Sequence, residues 1–439
     1  MPRAVRTTST DYSSPYRPPV VRMANALGAG LECLGLRAEL SVPSLLEAAR
    51  RRTGLEDFGD HAFEEPLGIL LDAIEGEARL NSVGRLITRE RLIGVLANRL
   101  RAERCFREHP EIEARPLAPP LVITGLQRTG TTFLHRLLAA DPEHRALLSW
   151  EAINPAPLLR RDRGCRPASG DPAARAHVED ARIKRARTAE RALAFLAPDF
   201  FAIHPVEAES PEEDVLLLDY AFLSTVPEAT LRVPTYSRWL ERQDQRPAYR
   251  YMYRLLQLLQ WQRPAERWVL KSPHHLEYLD ALLEVFRGVK ILHTHRDPYT
   301  TVASFCSMIA HGRGVFSDRV DPLEVGRDWL RKTALMIDRA MAVRRRRPET
   351  EAVFLDIRYQ ELVRRPIEVI EGIYAFLGRR LTAPLRRSIE RAREENVQHR
   401  YGNHRYRLED FGLSRGEVSR RFSDYRRIFD LQAEDEAEE

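Results

Sequence analysis

The chain has 439 residues, of which 43% are hydrophobic and 30% charged, with a formal net charge of +5. This composition fits one large globular domain with helical additions, or two domains, and gives no sign of a disordered protein apart from its ends. The positive excess is compatible with an anionic ligand in a local basic pocket but is too small to indicate a nucleic-acid partner.

The two ends of the chain are predicted to be loosely ordered, over residues 1–20 and over the acidic tail 426–439. No continuous apolar segment of the signal-peptide type follows the N-terminus, and the apolar stretch 23–36 is too short and too interrupted to span a bilayer. The four cysteines lie far apart, without metal-binding or paired spacing. These features predict a cytoplasmic protein with unpaired cysteines and no integral membrane segment.

Residues 21–115 are predicted to form a helical N-terminal region. Apolar residues recur there at helical spacing over 67–80 and again over 89–106. Thr88 stands immediately before the second pattern and is predicted to cap its helix.

From residue 116 the pattern changes to short apolar runs, each followed by a helical pattern. The predicted strands are 121–124, 268–270, 290–294 and 352–356. Strands that alternate with helices indicate an α/β fold with a parallel sheet flanked by helices, here over 116–425. A mostly helical insertion, about 155–265, separates the first two units and is expected to shape a substrate site.

A glycine-containing loop, 125–132, joins the first predicted strand to a helix beginning near Thr131. Such a loop directs backbone N–H groups and the positive end of the helix towards one point, which suits a phosphate or sulfate. The spacing from Gly125 to Gly130 matches the phosphate loop of nucleoside triphosphatases. However, Thr131 stands where those proteins have an essential lysine, and the nearest cation is Arg128. This departure argues against ATP or GTP as the ligand.

The loop resembles the 5′-phosphosulfate loop of the sulfotransferases that use 3′-phosphoadenosine 5′-phosphosulfate (PAPS), above all their bacterial branch. The resemblance implies a P-loop-NTPase-like core, PAPS as co-substrate, and no required metal. It also implies a set of contacts to the 5′-phosphate and the sulfuryl group: Arg128, Thr129, Gly130, Thr131 and Thr132.

Two further segments resemble elements of the same family. Arg296 follows a predicted strand and Ser304 lies eight residues later in a helix, as in the family's 3′-phosphate element. Tyr359 stands in a segment that resembles the Y-E-x-L motif, although Gln360 replaces the usual glutamate. The resemblance implies that Tyr359 contacts the adenosine 3′-phosphate region; packing in the core is the open alternative.

Candidates for the chemistry come from the sequence and from the resemblance together. Lys271, one of four lysines, ends a predicted strand where α/β proteins bind ligands, and the resemblance implies that it stabilises the bridging oxygen with Arg128. Glu151 lies 23 residues past Arg128, where related enzymes place a base, but it can equally be a helix-end carboxylate. His204 is the second candidate base.

Four further histidines lie in or just after predicted strands. His274 and His275 follow Lys271 closely and are expected to line the acceptor pocket. His293 and His295 share one side of a predicted strand, where packing is the preferred interpretation over a metal site.

The sequence therefore predicts a PAPS-dependent sulfotransferase that acts on a hydroxyl of a small-molecule or lipid acceptor. The alternatives are a P-loop-like nucleotide kinase or NTPase, and a non-catalytic nucleotide-binding protein of the same fold. The identity of the acceptor and the oligomeric state stay open.

Overall fold

The computed structural model describes residues 8–158, 180–264, 266–396 and 404–432. Its centre is a five-stranded sheet in the order β2-β3-β1-β4-β5, with every pair parallel. The strands are β1 (Leu121–Gly125), β2 (His144–Ala146), β3 (Arg267–Lys271), β4 (Lys290–His295) and β5 (Phe354–Arg358). The predicted parallel α/β fold is confirmed.

The strand that leads into the glycine loop lies in the middle of the sheet. Every residue of β1 is buried, as expected for a parallel strand covered by helices on both faces. Ile123 pairs with Lys271 of β3, and Gly125 pairs with Thr294 of β4. The carboxyl ends of these three strands therefore reach the same edge of the sheet.

The short strand β2 was not predicted because its three residues, His144–Ala146, form no apolar run. Arg145 lies in it with a guanidinium 2.9 Å from the Leu259 carbonyl and 4.3 Å above the Trp268 ring. This strand therefore depends on packing against neighbouring segments and not on an apolar pattern of its own.

Helices precede the sheet, as the sequence predicted. They are α1 (Pro19–Cys33), α2 (Val42–Thr53), α3 (Glu64–Glu77), α4 (Ser82–Glu108) and α5 (Glu111–Ala114). The predicted cap at Thr88 is wrong, since α4 begins seven residues earlier with the Asn81 side chain accepting the Gly84 N–H at 2.7 Å. The Thr88 hydroxyl instead donates to the Gly84 carbonyl within the helix. The apolar pattern starts late because the first turns of α4 bury glycine and arginine rather than aliphatic side chains.

The helices around β1 to β3 are α6 (Thr131–Leu138), α7 (Ser149–Ile153), α8 (Ala181–Leu196), α9 (Pro198–Ile203), α10 (Val215–Leu218), α11 (Val226–Thr230), α12 (Pro234–Leu240) and α13 (Arg246–Gln262). Those after β3 are α14 (Leu279–Val285), α15 (Pro298–Phe316), α16 (Pro322–Arg346), α17 (Tyr359–Arg364), α18 (Pro366–Phe376), α19 (Ala383–Glu395), α20 (Arg415–Arg421) and α21 (Ser423–Ile428). The insertion between β1 and β3 is helical, and its residues 159–179 lie outside the described part of the chain.

The two chain ends that were predicted to be loose are described in part. Residues 1–7 and 433–439 lie outside the described residues. Tyr12, in contrast, is buried, and its hydroxyl donates to Ser307 Oγ of α15 at 3.1 Å. The structure thus packs part of the N-terminal segment against α15.

The cysteines correct one expectation. Cys33 and Cys306 are free, but Cys105 is disulfide-bonded. Wide spacing in the sequence therefore did not exclude a bridge, because closeness in space decides pairing. Among the described residues no helix combines the length and apolar character that a bilayer crossing requires, while the predicted compartment stays a prediction.

Candidate active site

A cavity of about 1010 Å³ lies at the carboxyl edge of the sheet. The segments that follow β1, β3, β4 and β5 each contribute lining residues, and helices of the insertion close the other side. Eight of the residues that the sequence predicted for the site line this cavity: Arg128, Gly130, Thr131, Thr132, His204, His274, Arg296 and Tyr359. Much of the remaining wall is apolar: Phe200, Val215, Leu216, Phe305, Met308, Ile309, Val315, Phe316, Trp329 and Met336.

The glycine loop between β1 and α6 depends on left-handed backbone. Arg128 has φ 69° and Gly130 has φ 84°. A Cβ at Gly130 would stand 3.0 Å from Leu362 and 3.1 Å from the Tyr359 ring, so a side chain here would be strained by the backbone and crowded by both neighbours. Thr131 begins α6 directly after it, which directs the positive end of the helix to the loop.

The Thr129 hydroxyl points into the protein rather than into the cavity. It donates to the Leu126 carbonyl at 2.6 Å and lies 2.6 Å from the Thr294 hydroxyl of β4. The side chain therefore braces the loop against the sheet.

Four predicted binding residues, remote in sequence, meet beside the loop. Arg128 Nε donates to Ser304 Oγ at 3.1 Å, and Arg296 donates to the Arg128 carbonyl at 3.1 Å. The Arg296 guanidinium also stacks 4.1 Å above the Tyr359 ring. Two guanidinium groups, a hydroxyl and the loop backbone thus face one region, which suits a ligand with more than one anionic group.

His404 also belongs to this cluster, although the sequence did not predict it as a site residue. Its ring lies 3.5 Å from Ser304 Oγ through Nδ1 and 2.9 Å from Ser307 Oγ through Nε2. Burial, reinforced by the charge of Arg128, lowers the pKa of His404 to about 2. The ring is therefore neutral at physiological pH and can bond to both serines.

Lys271 is buried at the end of β3, with 1% of its surface exposed. Its ammonium donates to Glu213 Oε1 at 2.8 Å and lies 3.5 Å from the Thr132 hydroxyl of the loop. A buried cation thus stands between the glycine loop and a carboxylate.

Glu213 was missed by sequence reasoning. It lies in the acidic segment 212–214, just before α10, and its side chain lines the cavity. The only signal in the sequence is this acidic run near His204, which resembles an ordinary solvated turn. The contact with Lys271 distinguishes it only in the folded structure.

The structure does not bring Glu151 to the cavity. The side chain is 1% exposed, and Oε1 lies 2.7 Å from the Arg145 guanidinium, while Oε2 accepts the Leu148 N–H at 3.2 Å. The carboxylate thereby caps α7 and neutralises a buried arginine. This is the helix-end alternative, and the geometry gives no support to the predicted base.

His204 lines the cavity, and the charged residues of the site shift its pKa. Burial lowers its pKa, Glu212 and Glu213 oppose this, and the charges of Lys271 and Arg128 reinforce it. Its imidazole is therefore neutral at physiological pH.

The next two histidines differ in their surroundings. His274 lines the cavity, with Nδ1 3.1 Å from the Thr225 hydroxyl, and burial holds its pKa well below the usual value. His275 does not line the cavity, contrary to expectation, because Nδ1 lies 2.8 Å from the Tyr249 hydroxyl and Nε2 lies 3.0 Å from Asp214.

His293 and His295 form a group with Asp356 whose donor atoms lie within 4.8 Å of one another. Arg344 donates to both Asp356 oxygens, at 2.7 and 2.9 Å, and His295 Nε2 lies 2.8 Å from the same carboxylate. The arginine supplies the positive charge that a metal ion would bring. This geometry agrees with the packing interpretation.

The chain is similar in sequence and in structure to known sulfotransferases. A model of the sulfotransferase family matches residues 119–383. Over 274 residues the chain is 25% identical to the omega-hydroxy-beta-dihydromenaquinone-9 sulfotransferase Stf3 of Mycobacterium bovis and of Mycobacterium tuberculosis. The match covers 59% of this chain and 63% of those relatives, so it spans less than two thirds of their length.

Two solved structures extend the likeness over most of the chain. Sulfotransferase STF1 from Mycobacterium tuberculosis H37Rv is 32% identical, with a TM-score of 0.73 over 88% of this chain and 98% of its own. Sulfotransferase STF9 from Mycobacterium avium is 27% identical, with a TM-score of 0.80 over 91% of this chain and 99% of its own.

Proposed function

Since this chain belongs to the sulfotransferase family, we propose that it transfers the sulfuryl group of PAPS to a hydroxyl of a small-molecule or lipid acceptor. The observation that supports this most directly is the convergence of Arg128, Arg296, Ser304 and Tyr359 beside the glycine loop. The proposed sulfotransferase domain is 116–425, which contains the region matched by the family model.

The donor would use two anion sites. The loop Arg128–Thr132 and the start of α6 would hold the 5′-phosphate and the sulfuryl group. Arg296 and Ser304 would hold the 3′-phosphate, with Tyr359 stacked on the arginine. Arg128 bonds to Ser304 and belongs to the loop, so it links the two sites.

Bound PAPS would supply an activated sulfuryl group whose release leaves negative charge on the bridging oxygen. Lys271 and Arg128 are the cations that would stabilise this charge. Lys271 is held between the Thr132 hydroxyl and the Glu213 carboxylate, so little reorganisation is needed. In this proposal the two cations fill this role without a metal ion.

The acceptor would occupy the part of the cavity beyond the loop. Aromatic, aliphatic and methionine side chains of α9, α10, α15 and α16 form that wall. Such a surface favours a largely apolar alcohol over a charged or sugar-like acceptor. A relative whose name gives a hydroxylated menaquinone derivative as its substrate is consistent with this class.

The proposal is tested by calorimetric titration with 3′-phosphoadenosine 5′-phosphate, AMP and ATP, each with and without Mg²⁺. We expect metal-independent binding of the bisphosphate, much weaker binding of AMP, and an affinity for the bisphosphate lowered about 10- to 100-fold by Arg296→Ala. Arg365→Ala, which removes an exposed arginine whose guanidinium pairs with the exposed Glu368, is the matched control and should leave the affinity unchanged.

Turnover is then measured with PAPS and a panel of primary alcohols. Tight Mg²⁺-dependent binding of ATP without binding of the bisphosphate would replace this proposal with a nucleotide kinase or NTPase. Binding of the bisphosphate without transfer to any alcohol or to water would indicate a non-catalytic protein of the same fold.

A further inference from the structure

The transfer reaction requires a proton acceptor, and the cavity wall offers one that the sequence did not reveal. Glu213 lines the cavity with a side chain that is 23% exposed, and its Oε1 accepts from Lys271 Nζ at 2.8 Å. No described residue donates a hydrogen bond to its Oε2. The carboxylate is thus held by the predicted charge-stabilising lysine with one oxygen left for a ligand.

Two other carboxylates of these segments, Glu151 and Glu212, have hydrogen-bond partners other than Lys271. Glu151 pairs with Arg145 and caps α7, out of reach of the cavity. Glu212 lies in the same segment as Glu213 and accepts the Glu213 N–H at 2.9 Å, which fixes the backbone at that point. Another bond holds the segment against the strand, since the Asp214 N–H donates to the Lys271 carbonyl at 3.3 Å.

We propose that Glu213 is the general base of the transfer, an assignment that rests on the proposed function. The acceptor hydroxyl oxygen bonds to sulfur while its proton passes to Glu213 Oε2. The bond between sulfur and the bridging oxygen breaks, and its electron pair leaves on the 5′-phosphate beside Lys271. The products are a sulfate ester, 3′-phosphoadenosine 5′-phosphate and a protonated Glu213, which returns its proton to solvent.

In this proposal Lys271 and Glu213 act at the two ends of the reaction, the lysine at the departing oxygen and the carboxylate at the acceptor. An acceptor placed in line with the departing oxygen must stand close to the sulfuryl group and on its far side. The hydrogen bond between Lys271 and Glu213 fixes the orientation of both side chains. The contact of Lys271 with Thr132 places the pair beside the loop. His204 stands in the same field of charges and is the rival base.

The decisive experiment compares acceptors that do and do not need a base. Wild-type protein and Glu213→Gln are assayed with PAPS and either 1-decanol or 4-nitrophenol, which is already ionised at the assay pH. We expect Glu213→Gln to lower kcat about 100- to 10,000-fold with decanol and far less with nitrophenol. Affinity for 3′-phosphoadenosine 5′-phosphate should stay within a few-fold of wild type. A merely structural role would reduce both reactions equally.

Glu209→Gln is the matched control, because it removes an exposed carboxylate of the same segment that is paired with Arg187. It should leave both reactions unchanged. Equal losses with both acceptors, or a loss confined to His204→Gln, would overturn the assignment to Glu213. If wild type uses neither acceptor, hydrolysis of PAPS, with water as the acceptor that needs a base, is compared in Glu213→Gln with the affinity for the bisphosphate, and loss of hydrolysis at unchanged affinity is expected. Wild type that binds no bisphosphate and hydrolyses no donor would refute the proposed function itself.

Discussion

The ammonium of Lys271 lies 2.8 Å from a carboxylate oxygen of Glu213, although 58 residues separate the two in the chain. Lys271 ends β3, and Glu213 lies in the helical insertion just before α10. The same ammonium lies 3.5 Å from Thr132 of the glycine loop. Strand, insertion and loop therefore meet at one buried cation.

Replacing Lys271 by methionine should lower kcat about 100- to 1000-fold, because a preorganised charge beside the departing oxygen is removed. Affinity for the bisphosphate should change little, since the two phosphate sites keep their arginines. Lys290→Met, at the opposite end of the sheet, is the control; that ammonium donates to the Ala352 carbonyl. Steady-state kinetics beside calorimetry checks both variants, and an unchanged kcat in Lys271→Met would contradict the role.

Gly130→Ala should abolish measurable binding of the bisphosphate. The added Cβ would require left-handed backbone at φ 84° and would press against Tyr359 and Leu362. Gly94→Ala, in the middle of α4 with no atom within 4 Å of the new Cβ, should stabilise the fold by about 0.5–1 kcal/mol and leave binding intact. Thermal unfolding and titration of both variants make the comparison, and normal binding by Gly130→Ala would disprove the loop geometry.

Glu151→Gln should cost stability rather than activity. Its carboxylate and the Arg145 guanidinium are both buried, and breaking such a pair costs about 3–5 kcal/mol. Chemical denaturation measures this loss, and kcat per folded molecule should stay near that of wild type. A large fall in kcat at unchanged stability would restore Glu151 as a catalytic candidate.

Ser304→Ala should weaken binding of the bisphosphate about tenfold and leave AMP binding unchanged, because the serine belongs to the proposed 3′-phosphate site. Ser307→Ala lies one turn further along α15, and its hydroxyl also bonds to His404. This control should alter stability without altering the preference for the bisphosphate over AMP. Equal effects of the two substitutions on that preference would argue against a specific site at Ser304.

Acid should destabilise the fold through its buried histidines. Burial first, and then the charge of Lys271, lowers the pKa of His135 to about 3, and His404 is shifted in the same direction. The unfolded chain therefore binds these protons first, so the contribution to stability is complete above about pH 6.5 and is lost as the pH falls towards 3. Each such histidine adds up to about 1.4 kcal/mol per pH unit to the slope of the unfolding free energy against pH.

Urea denaturation at several pH values between 7 and 5 measures this slope. His404→Gln keeps hydrogen-bonding capacity towards the two serines and should reduce the slope by the share of one histidine. A slope that is unchanged in His404→Gln would show that this ring is not held neutral by the fold.

The sequence by itself determined the parallel α/β core and the glycine loop, because the information for each lies in a contiguous segment. Strand, loop and helix follow one another over 121–138, and Gly130 adopts its left-handed backbone at φ 84° without the steric cost that a side chain would add. The pair Arg296 and Ser304 was accessible for the same reason, since a strand end and the helix after it fix their relative position.

The tertiary structure alone decided which carboxylate stands beside Lys271. Glu151 lies in the first turn of α7 and Glu213 lies just before α10, and neither position reveals in the sequence which carboxylate is the partner of Lys271. Packing of β2 buries Arg145, which takes up Glu151 as its counter-ion, while the helical insertion folds Glu213 back onto the end of β3. Pairing of charges depends on distances between remote segments, so it is fixed only when the insertion packs against the sheet.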